Sequence, residues 1–393
     1  MLIEPEIIGD EIVSRVRAAL SRPEGSLELH EPSIGETEER RVVDCLRSGW
    51  LSTAGPYTLE FETNLEDIVG GGHVVAMMNG SAALHMALIV SGVEPGDEVL
   101  APALTFVATA NAVIYCGAVP HFIEAEEETF GVDPAKLSEY LASVGQSANG
   151  TLTNRKTGRR IAALVVTHIL GVPAEIIALK DIANRYGIPL IEDAAEGLGS
   201  TLQGKHVGRF GKISALSFNG NKIISTGAGG AILTEDKSLA ERCRYLSTTA
   251  KEPHPWDFNH TESGFNYRMP NLNAALGLAQ LDRFSDILSA KRKIALQYAQ
   301  YFAGYEAAPF VETPDLREIN CWLNAIRLSR AGDGQIAGVL NRMHELGVRA
   351  RPLWRLMPDL APFTDCPTMD VGCARGIVQS VITLPSGPDL ILT

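Results

Sequence analysis

From residue 73 onward, short apolar runs alternate with stretches of helical period: HVVAMM, SAALHMALIVSG, DEVLAPA, TFVATANAVIYCG and VPHFIEA follow one another. Continuous apolar runs separated by helical segments predict a mostly parallel sheet with helices on both faces. The alternation pauses at SVGQSANGTLTNRKTGRR, whose Gly, Ser, Asn and Thr predict an exposed loop or hairpin. It resumes with IAALVVTHI, a helix over AEIIALKDIANRYG, and IPLIEDAA.

Upstream, MLIEPEIIGDEIVSRVRAAL has the spacing of an amphipathic helix, and LHEPSIGETEERRVVDCLRSGWLS reads as an extended lead. A helix then opens at Gly35 to Glu38 and stops near Gly49, before the loop GWLSTAG. Downstream, NLNAALGLAQLDRFSDILSAKRKIALQYAQYFAGY turns helical, with Leu281, Phe284 and Leu288 on one face of a long connecting helix. CWLNAIRLS, GQIAGVLNRMHELG and VITLPSG then make a small α+β unit without a nucleophile or metal cluster. The expected division is a helical extension over 1–33, a large α/β domain over 34–280, and a linking helix with a small C-terminal domain over 281–393.

Composition narrows the classes. A chain of 393 residues, 45% hydrophobic, can bury more than one core. The formal charge of −13, with no basic run, argues against nucleic acid as a partner, so an anionic ligand must be gripped locally. The six cysteines lack CxxC spacing and nearby histidines, which predicts reduced thiols in a cytoplasm rather than a disulfide scaffold or zinc site. The acidic N-terminus has no basic n-region and no apolar stretch near ~20 residues, so neither export nor a membrane is expected. The sequons at Asn149 and Asn259 read as chance matches.

Three strand ends carry candidate chemistry. After MM, Asn79-Gly80-Ser81 leads into an all-apolar helix, so the amides of Ser81 and Ala82 stand at the positive end of a helix dipole, where a phosphate binds well. An ordinary turn with a serine N-cap is the structural alternative. IPLIEDAAEGLG sends a strand into an acidic pair, making Asp193 a site carboxylate or, alternatively, Asp193 or Glu192 a helix cap. ISALSF ends in Ser217, and the following turn carries Lys222 among glycines 227, 229 and 230. A lone lysine in a turn is ordinarily solvated, but one shielded from water loses its proton more easily and can attack a carbonyl. A phosphate cradle, a carboxylate and such an amine meet the needs of pyridoxal phosphate.

With SFNGNKIIST, IEDAAEGLGS and GFNYRMPNLNAALGLAQL in view, the chain from about Leu29 onward resembles the DegT/DnrJ/EryC1/StrS sugar aminotransferases, fold-type I pyridoxal phosphate enzymes. The resemblance implies that Lys222 is the Schiff-base lysine, that Asp193 pairs with the pyridine nitrogen, and that Glu196 sits near the cofactor's phenolic oxygen. It implies further that Ser217, Ser81 and Ala82 hold the phosphate, that Phe106 stacks on the ring, and that Asn266 reaches the phosphate of a partner in a homodimer with shared sites. For Phe106 a buried core position, and for His168 a satisfied structural role, are the alternatives. The extra N-terminal helix, LHEPSIGETE, GWLSTAGPYTLEFE and the insertion at 143–160 are similar to the LegC-type subgroup of nonulosonic acid pathways such as that of legionaminic acid. That implies as acceptor a nucleotide-linked 4-keto-6-deoxy hexose bearing a 2-acetamido group, with UDP the expected nucleotide and glutamate the expected donor. Asn219 in place of a common histidine and TGAGG in place of TGEGG depart from the family pattern. The competing functions are a sugar 3-dehydratase, against which Lys222 argues because such relatives carry histidine there, and a non-catalytic cofactor-binding regulator. The P-loop pattern GxxxxGK[ST] is absent and GGG at 70–72 lacks the GxGxxG order, which removes the nucleotide-fold readings.

Overall fold

The computed structural model describes residues 4–312, 319–329 and 334–392. Helix α1 (Pro5–Leu20) turns Ile8, Ile12, Val13, Val16 and Leu20 inward, the spacing of one apolar face. Helix α2 (Glu36–Ser48) starts where the Gly35 amide donates to Glu38 Oε2 at 2.9 Å, and it stops at Gly49, whose φ of 76° favours glycine. Helix α3 (Tyr57–Ile68) follows the loop at 49–56.

The central sheet has the order β1-β11-β10-β7-β6-β2-β3. Its strands are β1 (His73–Met77), β2 (Glu98–Pro102), β3 (Val119–Ile123), β6 (Ile161–Thr167), β7 (Leu190–Asp193), β10 (Ile213–Ser217) and β11 (Gly230–Thr234). Two small hairpins branch from it: β4 (Gly145–Ala148) with β5 (Thr151–Asn154), within the stretch expected to be a loop or hairpin, and β8 (Thr201–Leu202) with β9 (Lys205–His206). Every central pairing is parallel except those of β11, which runs antiparallel to both its neighbours. Helices α4 (Gly80–Val90), α5 (Val107–Tyr115), α6 (Pro134–Val144), α7 (Ile176–Tyr186) and α8 (Lys237–Ser247) connect or flank these strands. Successive strand residues serve opposite faces: Val74 and Ala76 join one apolar cluster, Val75 and Met77 another. Burial on both faces explains why the strands read as unbroken apolar runs.

The C-terminal part departs from expectation at one point. Instead of one long helix there are two, α9 (Asn271–Asp282) and α10 (Phe284–Phe302), and Leu281 belongs to the first while Phe284 and Leu288 belong to the second. Arg283 sits between them at φ −104°, ψ 4°, its guanidinium drawn to Glu38 Oε1 at 3.0 Å and Ser33 Oγ at 2.9 Å. Glu38, buried, also accepts from Gln280 Nε2 at 2.7 Å. A tertiary ion pair therefore ends α9 where local propensity would continue it. Strands β12 (Asn324–Arg327), β13 (Arg351–Pro352) and β14 (Val381–Leu384) form an antiparallel sheet in the order β12-β14-β13, flanked by α11 (Gln335–Glu345) and α12 (Gly372–Val378). Helix α1 lies against this part: Ile12 and Val16 share an apolar cluster with Ile294 and Tyr298 of α10, Val339 and Met343 of α11, and Ile382 of β14.

One buried carboxylate fastens α3 to the edge of the central sheet. Glu62 accepts from the Ala76 amide at 2.7 Å, pairs with Arg268, and meets Arg244 at 3.2 Å. Glu62→Ala leaves Arg268 and the Ala76 amide without that partner, so urea unfolding should show a loss of about 3–5 kcal/mol; a change below about 1 kcal/mol would mean the contact is dispensable.

Candidate active site

The C-terminal ends of β1, β6, β7 and β10 open on one cavity of about 800 Å³. At the first of these ends Asn79 caps α4, its Oδ1 accepting from the Ala82 amide at 2.8 Å. The cap is therefore asparagine, not serine, and it occupies one of the two amides expected to face a ligand. The Ser81 amide and the hydroxyls of Ser81 and Ser217 have no partner among the described residues. Glycines make this corner close enough to act as a cradle: a Cβ on Gly80 would lie 2.9 Å from Ser217 Cβ, and one on Gly230 would lie 2.6 Å from the Gly80 nitrogen. The strand ends of β1 and β10 thus meet only because no side chain intervenes.

At the end of β7, Asp193 is buried. Its Oδ2 accepts from Thr109 Oγ1 at 2.7 Å, and its Oδ1 accepts from the Ala195 amide at 3.2 Å. Thr109 in turn bonds Thr105 at 2.9 Å, and Thr105 bonds Thr167 at 3.2 Å. A carboxylate has about four lone-pair sites, so this hydroxyl chain fixes Asp193 while leaving it able to accept another N–H. Its neighbour Glu192 faces the other way, accepting from His168 at 3.0 Å and from the amides of Gly208 and Phe210, each at 2.7 Å. Burial works to raise the Glu192 pKa, but the bonds from His168 and the Gly211 and Gly208 amides hold it below the ordinary value. His168 also accepts from the Ala174 amide at 3.1 Å, so both its ring nitrogens are occupied. Of the two adjacent acids, one builds the fold and the other faces the cavity.

Lys222 follows β10 in a turn closed by its amide on the Asn219 carbonyl at 2.9 Å. Its side chain is only 13% exposed, and its Nζ lies 3.6 Å from Glu196 Oε1 and 4.1 Å from the centre of the Trp322 ring. The indole Nε1 donates to the Asn221 carbonyl at 2.6 Å, which locks the ring over the amine. Asn320 anchors the Trp322 segment: its Nδ2 donates to the carbonyls of Glu196 at 2.6 Å and Leu198 at 2.9 Å. Glu196 Oε2 accepts from the Leu170 amide at 2.8 Å. Burial lifts the Glu196 carboxyl to about 7, against the pull of Lys222 and the Leu170 amide, with the Asp193 charge adding to the rise. Glu196 thus titrates near neutral pH directly beside the Lys222 amine.

The cavity brings together Ser81, Phe106, Asp193, Glu196, Ser217 and Lys222. Ala82 contributes a backbone amide behind the lining. Asn266 is exposed, bridges to Thr248, and stands outside this lining. Phe106 is 51% exposed and edge-on to Trp354 at 6.3 Å. It is therefore not a core residue, and its free face can take a planar ring. Sequence reasoning passed over Trp322, His30, Arg351 and Trp354, all lining residues distant along the chain. Pyridoxal phosphate fits what is present: free hydroxyls and an amide in a glycine-walled cradle, an open aromatic face, an anchored carboxylate with spare acceptor capacity, and a shielded amine.

A doubly wound sheet with an amine, a carboxylate and an anion cradle at its strand ends is the layout of the fold-type I aminotransferases. The chain belongs to the DegT/DnrJ/EryC1/StrS aminotransferase family, which it matches over residues 32–392, and it is a pyridoxal phosphate-dependent enzyme. It is 33% identical over 358 residues to a GDP-perosamine synthase of Caulobacter vibrioides, covering 90% of this chain and 91% of that one. It is 32% identical to EpsN of Bacillus subtilis, described as a putative pyridoxal phosphate-dependent aminotransferase, over 92% and 91% of the two chains. Among solved structures, the aminotransferase TlmJ from Streptoalloteichus hindustanus superposes with a TM-score of 0.82 at 27% identity, over 92% of this chain and 94% of that one.

The raised Glu196 carboxyl has a measurable sign. Its folded value of about 7 lies above the ordinary 4.5, so the native state holds the extra proton between them. The associated stability is complete below 4.5 and is lost as pH rises through 7. In cofactor-free protein, Glu196→Gln should flatten the fall of thermal stability over that window; an unchanged slope would place the titration elsewhere.

Proposed function

We propose that the enzyme moves an amino group from glutamate to C4 of a nucleotide-linked 4-keto-6-deoxy sugar. The acceptor in this reading is a UDP-2-acetamido-2,6-dideoxy-hexos-4-ulose on a route to a legionaminic-type nonulosonic acid or another surface glycan, made in the cytoplasm. The observation that carries it is the extent of the cavity: from the cradle it passes Lys222 and continues to Arg351 and Trp354. About 800 Å³ lies in the upper part of the range typical of ligand sites. Arg351 is the one arginine among the described lining residues, and its guanidinium is suited to a diphosphate. The naming of relatives as GDP-perosamine synthases supports a nucleotide-linked amino sugar as product. The 2-acetamido group and UDP rest on the LegC-like motifs alone.

In this mechanism Ser81, through its amide and hydroxyl, and Ser217 hold the cofactor's phosphate, Phe106 covers its ring, and Asp193 accepts from the pyridine N–H. When bound, pyridoxal phosphate supplies an aldehyde for amines and a ring that spreads the negative charge of a deprotonated carbon. Lys222 Nζ, in its neutral form, removes the proton from the donor's Cα and, after donor and acceptor exchange, delivers one to C4 of the sugar. Glu196, with its carboxyl titrating near 7, stores or returns a proton beside that amine. Trp322 covers Nζ and excludes water from it. Asp193 is held by Thr109 and Ala195, and in a dry site a carboxylate placed there stabilises the protonated ring nitrogen more than water could. Asn266, exposed outside this chain's own lining, is placed in the reading as a contact to a partner's phosphate in a homodimer.

Purified enzyme supplied with glutamate and a panel of UDP-, GDP- and dTDP-linked 4-keto sugars should aminate the UDP-linked 2-acetamido member most efficiently, with product identified by mass and NMR, and Lys222→Ala should yield none. Amination of no keto sugar, despite turnover of glutamate, would overturn the reading.

A further inference from the structure

The extended lead before α2 carries a histidine whose surroundings are unlike those of the others. Its backbone is tightly placed: the Leu27 amide donates to the Gly347 carbonyl at 2.8 Å, the Arg349 amide returns to Leu27 at 2.8 Å, and the Ser386 amide donates to the Leu29 carbonyl at 2.7 Å. A Cβ on Gly387 would come within 3.3 Å of the Glu31 nitrogen and 3.8 Å of His30 Cα, so the lead lies directly on this glycine. The imidazole of His30 lines the same cavity as Lys222, yet both ring nitrogens are shielded without a hydrogen-bond partner.

An unsatisfied buried polar group is costly, so a ring on a segment fixed by three backbone bonds calls for a ligand that completes it. We propose that His30 is a substrate-orienting residue that hydrogen-bonds a hydroxyl or carbonyl oxygen of the acceptor sugar in the Lys222 cavity. This rests on the keto-sugar reading above. Burial, then the charges of Lys291 and Lys222, push the ring's pKa well below its ordinary value, against a weaker pull from its own backbone. The ring is therefore neutral in the working range, with one N–H donor and one bare acceptor nitrogen. Such a pair suits a sugar hydroxyl, which donates and accepts. It suits a carboxylate donor less well, because a neutral ring offers it no charge.

The test compares holoenzyme carrying His30→Phe, which keeps the ring volume, and His30→Gln, which keeps a donor and an acceptor. For His30→Phe the cofactor absorbance and the glutamate half-reaction should match wild type. Its acceptor KM, and the Kd of the aminated nucleotide-sugar by calorimetry, should rise about tenfold or more, and His30→Gln should recover part of that loss. Unchanged acceptor KM and Kd in His30→Phe would overturn the proposal, as would an equal fall in both half-reactions, which marks a structural role. If wild type itself turns over glutamate but binds and aminates no keto sugar, the functional reading fails first and this inference falls with it.

Discussion

The site depends on keeping one lysine amine out of water beside a carboxylate that does not fully ionise. Lys222 Nζ has Glu196 at 3.6 Å on one side and the Trp322 ring on the other. In solvent a lysine keeps its proton near pH 10.4 and is no nucleophile at neutral pH. Here the amine lies under the indole and next to a carboxyl raised to about 7. Everything that positions Trp322 and Glu196 therefore bears on the amine: Asn320 bonding the 196–198 backbone, the indole N–H on Asn221, and the Leu170 amide on Glu196.

That arrangement divides labour between the sheet and the small C-terminal sheet region. The strand ends set the groups lining the cavity: Ser217 and Asp193 from neighbouring parallel strands, and Ser81 at the start of α4 after β1, brought close by Gly80 and Gly230. The cover comes from elsewhere, with Trp322 just before β12, Arg351 on β13 and His30 on the lead that crosses to Gly347 and Ser386. In the proposed reading, phosphate and ring recognition lie on the α/β sheet. The wall facing the remaining space is built from segments outside that sheet.

The sequence made the scaffold legible because its signals are local. Each strand is an apolar run and each of the three strand ends carries its own chemistry within a few residues, so Lys222, Asp193, Ser217 and Ser81 could be singled out, and the structure places them on one cavity. Phe106 could be a core residue or a ring platform by sequence; its exposure distinguishes the two. What escaped notice depends on contacts between distant segments. Nothing near Trp322 announces that it will cover a lysine a hundred positions earlier, and nothing near His30 announces a cavity. The break at Arg283 was hidden for the same reason: the run is helical throughout, and Glu38, on another helix, ends it. The role of Asn79 was missed because serine and asparagine both cap helices, and only the geometry shows which oxygen meets the Ala82 amide.

The central claim is that the amine at position 222, and no other in the chain, is the one prepared to condense with the cofactor's aldehyde. Borohydride reduction of folded enzyme supplied with pyridoxal phosphate, followed by peptide mapping, tests it directly. The account predicts a pyridoxyl adduct on Lys222 in near-stoichiometric yield, with Lys291 and the remaining lysines unmodified. An adduct mainly on another lysine, or none on Lys222 in protein shown to be folded, would contradict it.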